Sequence, residues 1–371
     1  MAQRLPARPG DPVEAIETPA LVVDLAAFES NLDAMATAVA ASGLRLRPHA
    51  KSHKCAAIAR AQVARGAVGI CCQKTDEALA FVDEGIGDVL VTNEVVAPAK
   101  LARLAQAARR ARIGLLVDSE HGARAASAAA SRAGVTLALY VEVDVGAHRC
   151  GVAPDAAGAL AAGVAALPAV RYAGLHCYHG AAQHLRAPAE RAAAIASASE
   201  AVRSATASVA SAGLDTAIVT GAGTGTWTLE RDAGVWNELQ PGSYVFMDAD
   251  YGRNVRAGGE IAFAQSLFVI ASVMSAPTPS RAVCDAGLKA LAFDSGLPQV
   301  HGRGGVVYAK ASDEHGVLEV APGAAPVTLG ERLWLVPGHC DPTVNLYDWI
   351  VAVRDGRIEA VWPVDARGAL G

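Results

Sequence analysis

Eight short β-rich runs recur along the first two thirds of the chain: RLRPHA, VGICCQ, DVLVTN, IGLLVD, LALYVEVD, YAGLHCYH, TAIVTG and ELQPGSYV. Between them lie segments such as CAAIARAQVARG, EVVAPAKLARLAQAARRA and EHGARAASAAASRAG. Their alanine and arginine content favours helix, and the glycines that close several of them read as C-caps. Strands that alternate with helices pair in parallel, and right-handed crossovers place the helices outside, so eight such units predict a (β/α)8 barrel. This barrel is expected over residues 20–253.

Beyond it the pattern changes. QSLFVIASVMS, SRAVCDAGL, GGVVYAKA, ERLWLVPGH and DWIVAVRDGRIEAVW are strand-like runs with turn signals and few long helical stretches. They predict a second, mostly antiparallel β domain over 254–371, completed by residues 1–19. TPALVVDL, near the N-terminus, suits either a strand of that domain or an extra barrel element.

Composition narrows the function classes. With 52% hydrophobic and 19% charged residues and a formal net charge of -5, the chain is globular and shows no basic field for nucleic acid. The seven cysteines are scattered without CxxC spacing, which argues against a disulfide framework or a structural zinc site. No apolar run is long enough to span a membrane, and the first twenty residues lack an apolar signal core, so a cytoplasmic protein is expected.

In a barrel of this kind chemistry sits at the C-terminal ends of the strands. The polar residues there are Lys51, Gln73 with Lys74, Asn93, Asp118, Asp144 with Arg149, Tyr178 with His179, Thr220 with the GAGTGT loop, and Ser243 with Tyr244. GAGTGT (221–226) follows the seventh run, where barrels commonly bind phosphate through backbone N–H groups and hydroxyls. In RPHAKSHK, strand alternation puts His49, Lys51 and His53 on one face. A strand-end lysine opposite a phosphate cradle suits a pyridoxal phosphate Schiff base, with its pKa lowered by partial burial and nearby cations. Lys74 is the rival lysine. Near the end of the chain, in VPGHCDPT, His339 and Asp341 share a face if the run stays extended. One imidazole and one carboxylate then form half of an open divalent-metal site, suited to Mn²⁺ or Mg²⁺.

RPHAKSHK, GICCQK, VTNEVV, EVDVGAHRCGV, YHG followed by QH, GAGTGT, ELQPGSYVFMD and PGHCDPT closely resemble, in the same order, the D-threonine aldolase family. That family belongs to the fold type III pyridoxal phosphate enzymes, with D-serine dehydratases and alanine racemases. The resemblance covers almost the whole chain. It implies an alanine-racemase-like barrel, a homodimer with its active site near the subunit interface, and a divalent metal beside the cofactor. Lys51 resembles the Schiff-base lysine, Arg149 and Tyr178 the cofactor-ring contacts, and Gly223, Thr224 and Gly225 with Tyr244 the phosphate site. Gln73, Thr220 and Ser243 complete the expected cofactor residues. His339 and Asp341 resemble the metal ligands. His184 matches a histidine near the metal that could take the proton of the substrate hydroxyl, with His53 as another possible base. Ala222 stands where relatives carry glycine, so no phosphate contact is expected from it.

The implied reaction is retro-aldol cleavage of a D-β-hydroxy-α-amino acid, D-threonine giving glycine and acetaldehyde. The alternative is a D-hydroxyamino-acid dehydratase, acting on D-serine or D-threo-3-hydroxyaspartate and releasing a 2-oxo acid and ammonia. The resembling dehydratases carry HxC in place of HxD, so Asp341 favours the aldolase. A racemase would need a second base on the opposite face, and a non-enzymatic cofactor carrier would not need the second domain.

Overall fold

The eight runs are the strands of one parallel sheet in the computed structural model, which describes residues 4–371. We label them β2 (Arg45–Leu46), β3 (Ile70–Cys72), β4 (Asp88–Glu94), β5 (Arg112–Val117), β6 (Leu137–Glu142), β7 (Val170–Cys177), β8 (Val219–Gly221) and β9 (Glu238–Leu239), with β1 (Ala20–Asp24) before them. Their order is β2-β9-β8-β7-β6-β5-β4-β3. The sheet curls until its two ends meet: the N–H of Val68 donates to Leu46 O at 2.8 Å, that of Cys71 to Pro48 O at 2.8 Å, and His49 and Cys71 form a parallel bridge. The strands read as almost unbroken apolar runs because helices cover the sheet, leaving side chains such as Ile70, Val89, Leu139 and Leu175 without exposed surface.

Local chemistry sets the helices. In α1 (Leu25–Ser42) the Asp24 carboxylate accepts the Ala27 N–H at 3.0 Å, and Gly43 stops the helix in the left-handed conformation. Phe28, Leu32, Met35 and Val39 form the buried stripe that 3.6-residue periodicity requires. The helix after β5, Glu120–Ala133, repeats the device with Ser119 as N-cap and Gly134 as C-cap.

The second sheet has nine strands: β1, β10 (Leu267–Thr278), β11 (Arg281–Cys284), β12 (Gln299–His301), β13 (Val306–Ala311), β14 (Gly316–Val320), β15 (Arg332–Val336), β16 (Trp349–Arg354) and β17 (Arg357–Pro363). All pairings are antiparallel except that of β1 with β16. TPALVVDL, open between two placements in the sequence, thus supplies a strand of the second sheet. ALVVD pairs with β10 and β16, outside the barrel sheet, and buries both faces: Leu21 and Val23 join the main core, whereas Ala20 and Val22 join a smaller cluster. Its burial is worth roughly 1.5–3 kcal/mol per valine. The main core runs without a break from the barrel to Leu333, Leu335 and Ile350 of the second sheet.

One connection of that sheet reaches the C-terminal face of the barrel. After β15 the chain turns at Pro337–Gly338, whose carbonyls accept the N–H groups of Ala249 at 3.0 Å and Asp250 at 3.1 Å. The Asp248 carboxylate accepts the Cys340 N–H at 2.9 Å. A Cβ at Gly338 would lie 2.2 Å from Gly296 O, so only glycine fits this crossing. All seven cysteines are free thiols, and among the described residues no helix is long and apolar enough to cross a membrane.

Candidate active site

A cavity of about 360 Å³ opens at the C-terminal ends of the barrel strands. Lys51 lines it together with Gln73, Arg149, Tyr178, His184, Gly223, Thr224 and Ser243, so most of the sequence-derived residues meet at one place. Lys51 is not on a strand, however. It lies in a short 3-10 turn, Ala50–Ser52, that follows β2. The turn breaks the alternation, and His49, Lys51 and His53 do not share a face. His49 stays on the cavity: its Nε2–H donates to Thr92 Oγ1 at 2.9 Å, since the Thr92 hydroxyl itself donates to Cys72 O. His53 has no exposed surface and does not line the cavity; its Nδ1 accepts the Cys55 N–H at 3.1 Å and its ring packs edge-on against Phe81. That position removes it from reach as a base.

The electrostatics of Lys51 also differ from expectation. Its Nζ lies 2.9 Å from Asp341 Oδ2, and this carboxylate raises the lysine pKa above its ordinary value although burial works the other way. No lowered amine pKa is found. Burial favours a neutral Asp341, yet the Lys51 and His339 charges outweigh it and hold the carboxyl below the usual range. Lys74 caps the helix Thr75–Asp83 and is absent from the cavity wall.

The Gly-rich loop is held from behind. Gly225 N–H donates to Gln183 Oε1 at 2.9 Å, Gln183 Nε2 donates to Thr226 Oγ1 at 2.7 Å, and that hydroxyl donates to Glu230 Oε1 at 2.7 Å. A Cβ at Gly223 would lie 2.5 Å from Gln183 Oε1. Among the described residues, the N–H groups of Gly223 and Thr224 have no protein acceptor. Two free amides beside a cavity, with a serine hydroxyl at Ser243, fit a phosphate group. Gly225 and Tyr244 support this loop without facing the cavity: the Tyr244 N–H donates to Thr224 Oγ1 at 3.1 Å while its phenol turns away to Gln62. Thr220 is fully buried and its hydroxyl accepts from Gln240 Nε2 at 2.7 Å. Ala222 adopts φ +72° and lines the cavity, so the chain takes up the strained left-handed conformation with alanine in place.

His184 projects from a 3-10 turn after β7, half exposed to the cavity. Its Nδ1–H donates to Asp250 Oδ2 at 2.6 Å, which leaves the Nε2 lone pair free. Asp250 is gripped by Arg186 and, at 2.6 Å, by Arg253; together with His184 these hold its carboxyl at a pKa of about 2 against the opposing effect of burial.

His339 caps the helix Cys340–Val344 and Asp341 lies in its first turn, so the HxD pair is not extended. Asp341 reaches Lys51, and His339 Nδ1–H donates to Asp294 Oδ2 at 2.6 Å, which orients Nε2 as the metal-binding nitrogen. An ionised carboxylate and a carboxylate-oriented imidazole fit a divalent cation.

The sequence reading missed His176, Gln240, Tyr251, Asp250 and Asp294. His176 lies two residues before Tyr178, so alternation along β7 carried its signal. Its Nε2–H donates to Gln240 Oε1 at 3.2 Å. Asp250 and Asp294 come from connections with no strand pattern and gave none. Asn93, Asp118 and Asp144 stay off the cavity wall; Asp144 instead accepts the N–H groups of Gly146 and His148 and shapes the loop that carries Arg149.

Comparison with known proteins shows what the chain as a whole is similar to. The family of the alanine racemase N-terminal domain matches residues 23–250, and the putative serine dehydratase domain matches 266–353. A D-threonine aldolase of Arthrobacter sp is 49% identical over 98% of this chain and 96% of its own length. A 3-hydroxy-D-aspartate aldolase of Paracoccus denitrificans is 46% identical over 98% and 95%. The crystal structure of D-threonine aldolase from Filomicrobium marinum superposes with a TM-score of 0.97 at 49% identity, covering 99% of this chain and all of that one. A D-threo-3-hydroxyaspartate dehydratase of Delftia sp. is more distant, at 32% identity over 94% and 97%.

Proposed function

The chain belongs to the D-threonine aldolase family, and from that premise we propose that its cavity cleaves D-β-hydroxy-α-amino acids by a retro-aldol reaction, D-threonine giving glycine and acetaldehyde. What supports this reading is that Lys51 and His184 line one cavity beside free loop amides and that Asp341 pairs with Lys51 at 2.9 Å. Pyridoxal phosphate would be held covalently by Lys51, at its phosphate by Gly223, Thr224 and Ser243, and at its ring by Arg149, Tyr178 and Gln73. When bound it supplies the electron sink for the pair released as Cα–Cβ breaks. His339 and Asp341 would hold the divalent cation, Mn²⁺ or Mg²⁺, which supplies Lewis acidity at the substrate hydroxyl.

The protein's own contribution is positioning and proton transfer. His184 Nε2 takes the β-hydroxyl proton, while Asp250, paired to Nδ1, stabilises the imidazolium that results. As that proton leaves, the oxygen forms the aldehyde carbonyl and the Cα–Cβ bond opens; a proton returned to Cα completes glycine. Tyr251 packs 6.0 Å from the His184 ring and limits its rotation. Barrel and β domain divide near residues 25 and 254 in this reading, and the enzyme works as a cytoplasmic homodimer, as in the family it resembles.

The deciding experiment is a product assay on D-threonine and 3-hydroxy-D-aspartate, with and without chelator. Glycine with an aldehyde, lost on chelation, is expected. A 2-oxo acid with ammonia would turn the assignment to the dehydratase.

A further inference from the structure

Both oxygens of Asp341 are engaged. Oδ2 lies 2.9 Å from Lys51 Nζ, and Oδ1 accepts the Cys340 thiol at 3.3 Å. Lys51 is therefore the counter-ion of the carboxylate that, in the function proposed above, also holds the divalent cation. An ammonium and a dication sharing one carboxylate repel each other across a few ångströms inside a cavity, where screening is weaker than in water.

We propose that Lys51 enforces an order of loading, in which the divalent cation binds well only after the lysine has condensed with the cofactor aldehyde. In that condensation the amine nitrogen bonds to the aldehyde carbon and the aldehyde oxygen leaves as water. Two of the three ammonium protons leave with that water, so the nitrogen would keep at most one N–H and Asp341 Oδ2 would lose its ammonium partner. A protein without cofactor thus protects its carboxylate from adventitious metal. Linkage makes the effect reciprocal: whatever factor the cofactor adds to cation affinity, the cation adds to cofactor affinity.

The inference rests on the proposed roles of Lys51 and Asp341, and its test separates the two. Free Mn²⁺ is followed by its electron paramagnetic resonance signal during titration of the cofactor-stripped protein, the reloaded protein, and the cofactor-free variants Lys51→Met and Lys51→Arg, with circular dichroism verifying that each is folded. The stripped wild type and Lys51→Arg should bind Mn²⁺ at least about tenfold more weakly than the reloaded protein. Lys51→Met should recover tight binding without cofactor. Equal affinity in stripped and reloaded wild type would overturn the proposal, as would Lys51→Met binding no better than Lys51→Arg. Undiminished Mn²⁺ binding by reloaded Asp341→Asn would remove the cation site itself, a failure of the functional reading rather than of the loading order.

Discussion

A histidine acts as a base only if one ring nitrogen presents its lone pair, and at His184 that choice is made by Asp250. Asp250→Asn could hold the ring in the opposite tautomer. Turnover of D-threonine is expected to fall about 10²-fold with KM and cofactor absorbance little changed, since general base catalysis contributes about 10²–10⁴. Lys51→Ala should remove the absorbance of lysine-bound cofactor at roughly 400–430 nm; absorbance that survived would move the role to Lys74. Asp341→Ala should erase chelator-sensitive cleavage while the melting temperature stays nearly constant, because an open catalytic site adds little to folding. At this scale strand-end logic led to Lys51, Arg149 and Tyr178, which line one cavity, because β-runs and their polar ends are local patterns. It misjudged His53, since a single 3-10 turn rotates the following side chain into the core and nothing in RPHAKSHK announces that turn.

The Gly-rich loop depends on a chain of side chains behind it, and the last of these is under strain of its own. Glu230 is buried, its Oε2 has no partner, and burial pushes its pKa up to about 7. The folded state thus keeps a proton that the unfolded chain releases near the ordinary carboxyl value of 4.5. The stabilising contribution is complete below 4.5 and is lost as pH rises through about 7, amounting to about 3 kcal/mol. Glu94 and Glu142, also raised to about 7 by burial, pull in the same direction. Urea titrations of Glu230→Gln should show higher stability than wild type at pH 8 and a flatter decline between pH 5 and 8. Gly223→Ala should displace Gln183 and weaken cofactor binding about tenfold or more, read by absorbance titration, with the fold intact. The loop itself was legible as GAGTGT after the seventh run. Its bracing was not, because Gln183 and Glu230 become neighbours only once β7 and β8 pair.

Across the whole molecule the barrel could be read from alternation, since each βα unit repeats one local rule. The second sheet could be read only as strands. Its order depends on pairings between distant segments, and the GVLEV strand and the β12 edge carry too few residues for a pattern. The ambiguity over ALVVD had the same origin: a strand buried on both faces looks alike in either sheet. Its position has a consequence for the time course of folding. Leu21 leaves the ribosome long before its partners Val269 and Ile350 are made. Until then an apolar strand with both edges unpaired must wait, and such long-range closures make folding slow and exposed to aggregation. A fragment of residues 4–253 is expected to aggregate rather than yield a stable barrel, by sedimentation after dilution from urea. Co-expression with a 254–371 fragment should recover soluble complex, because ALVVD finds its place only when β10 and the β16–β17 hairpin arrive.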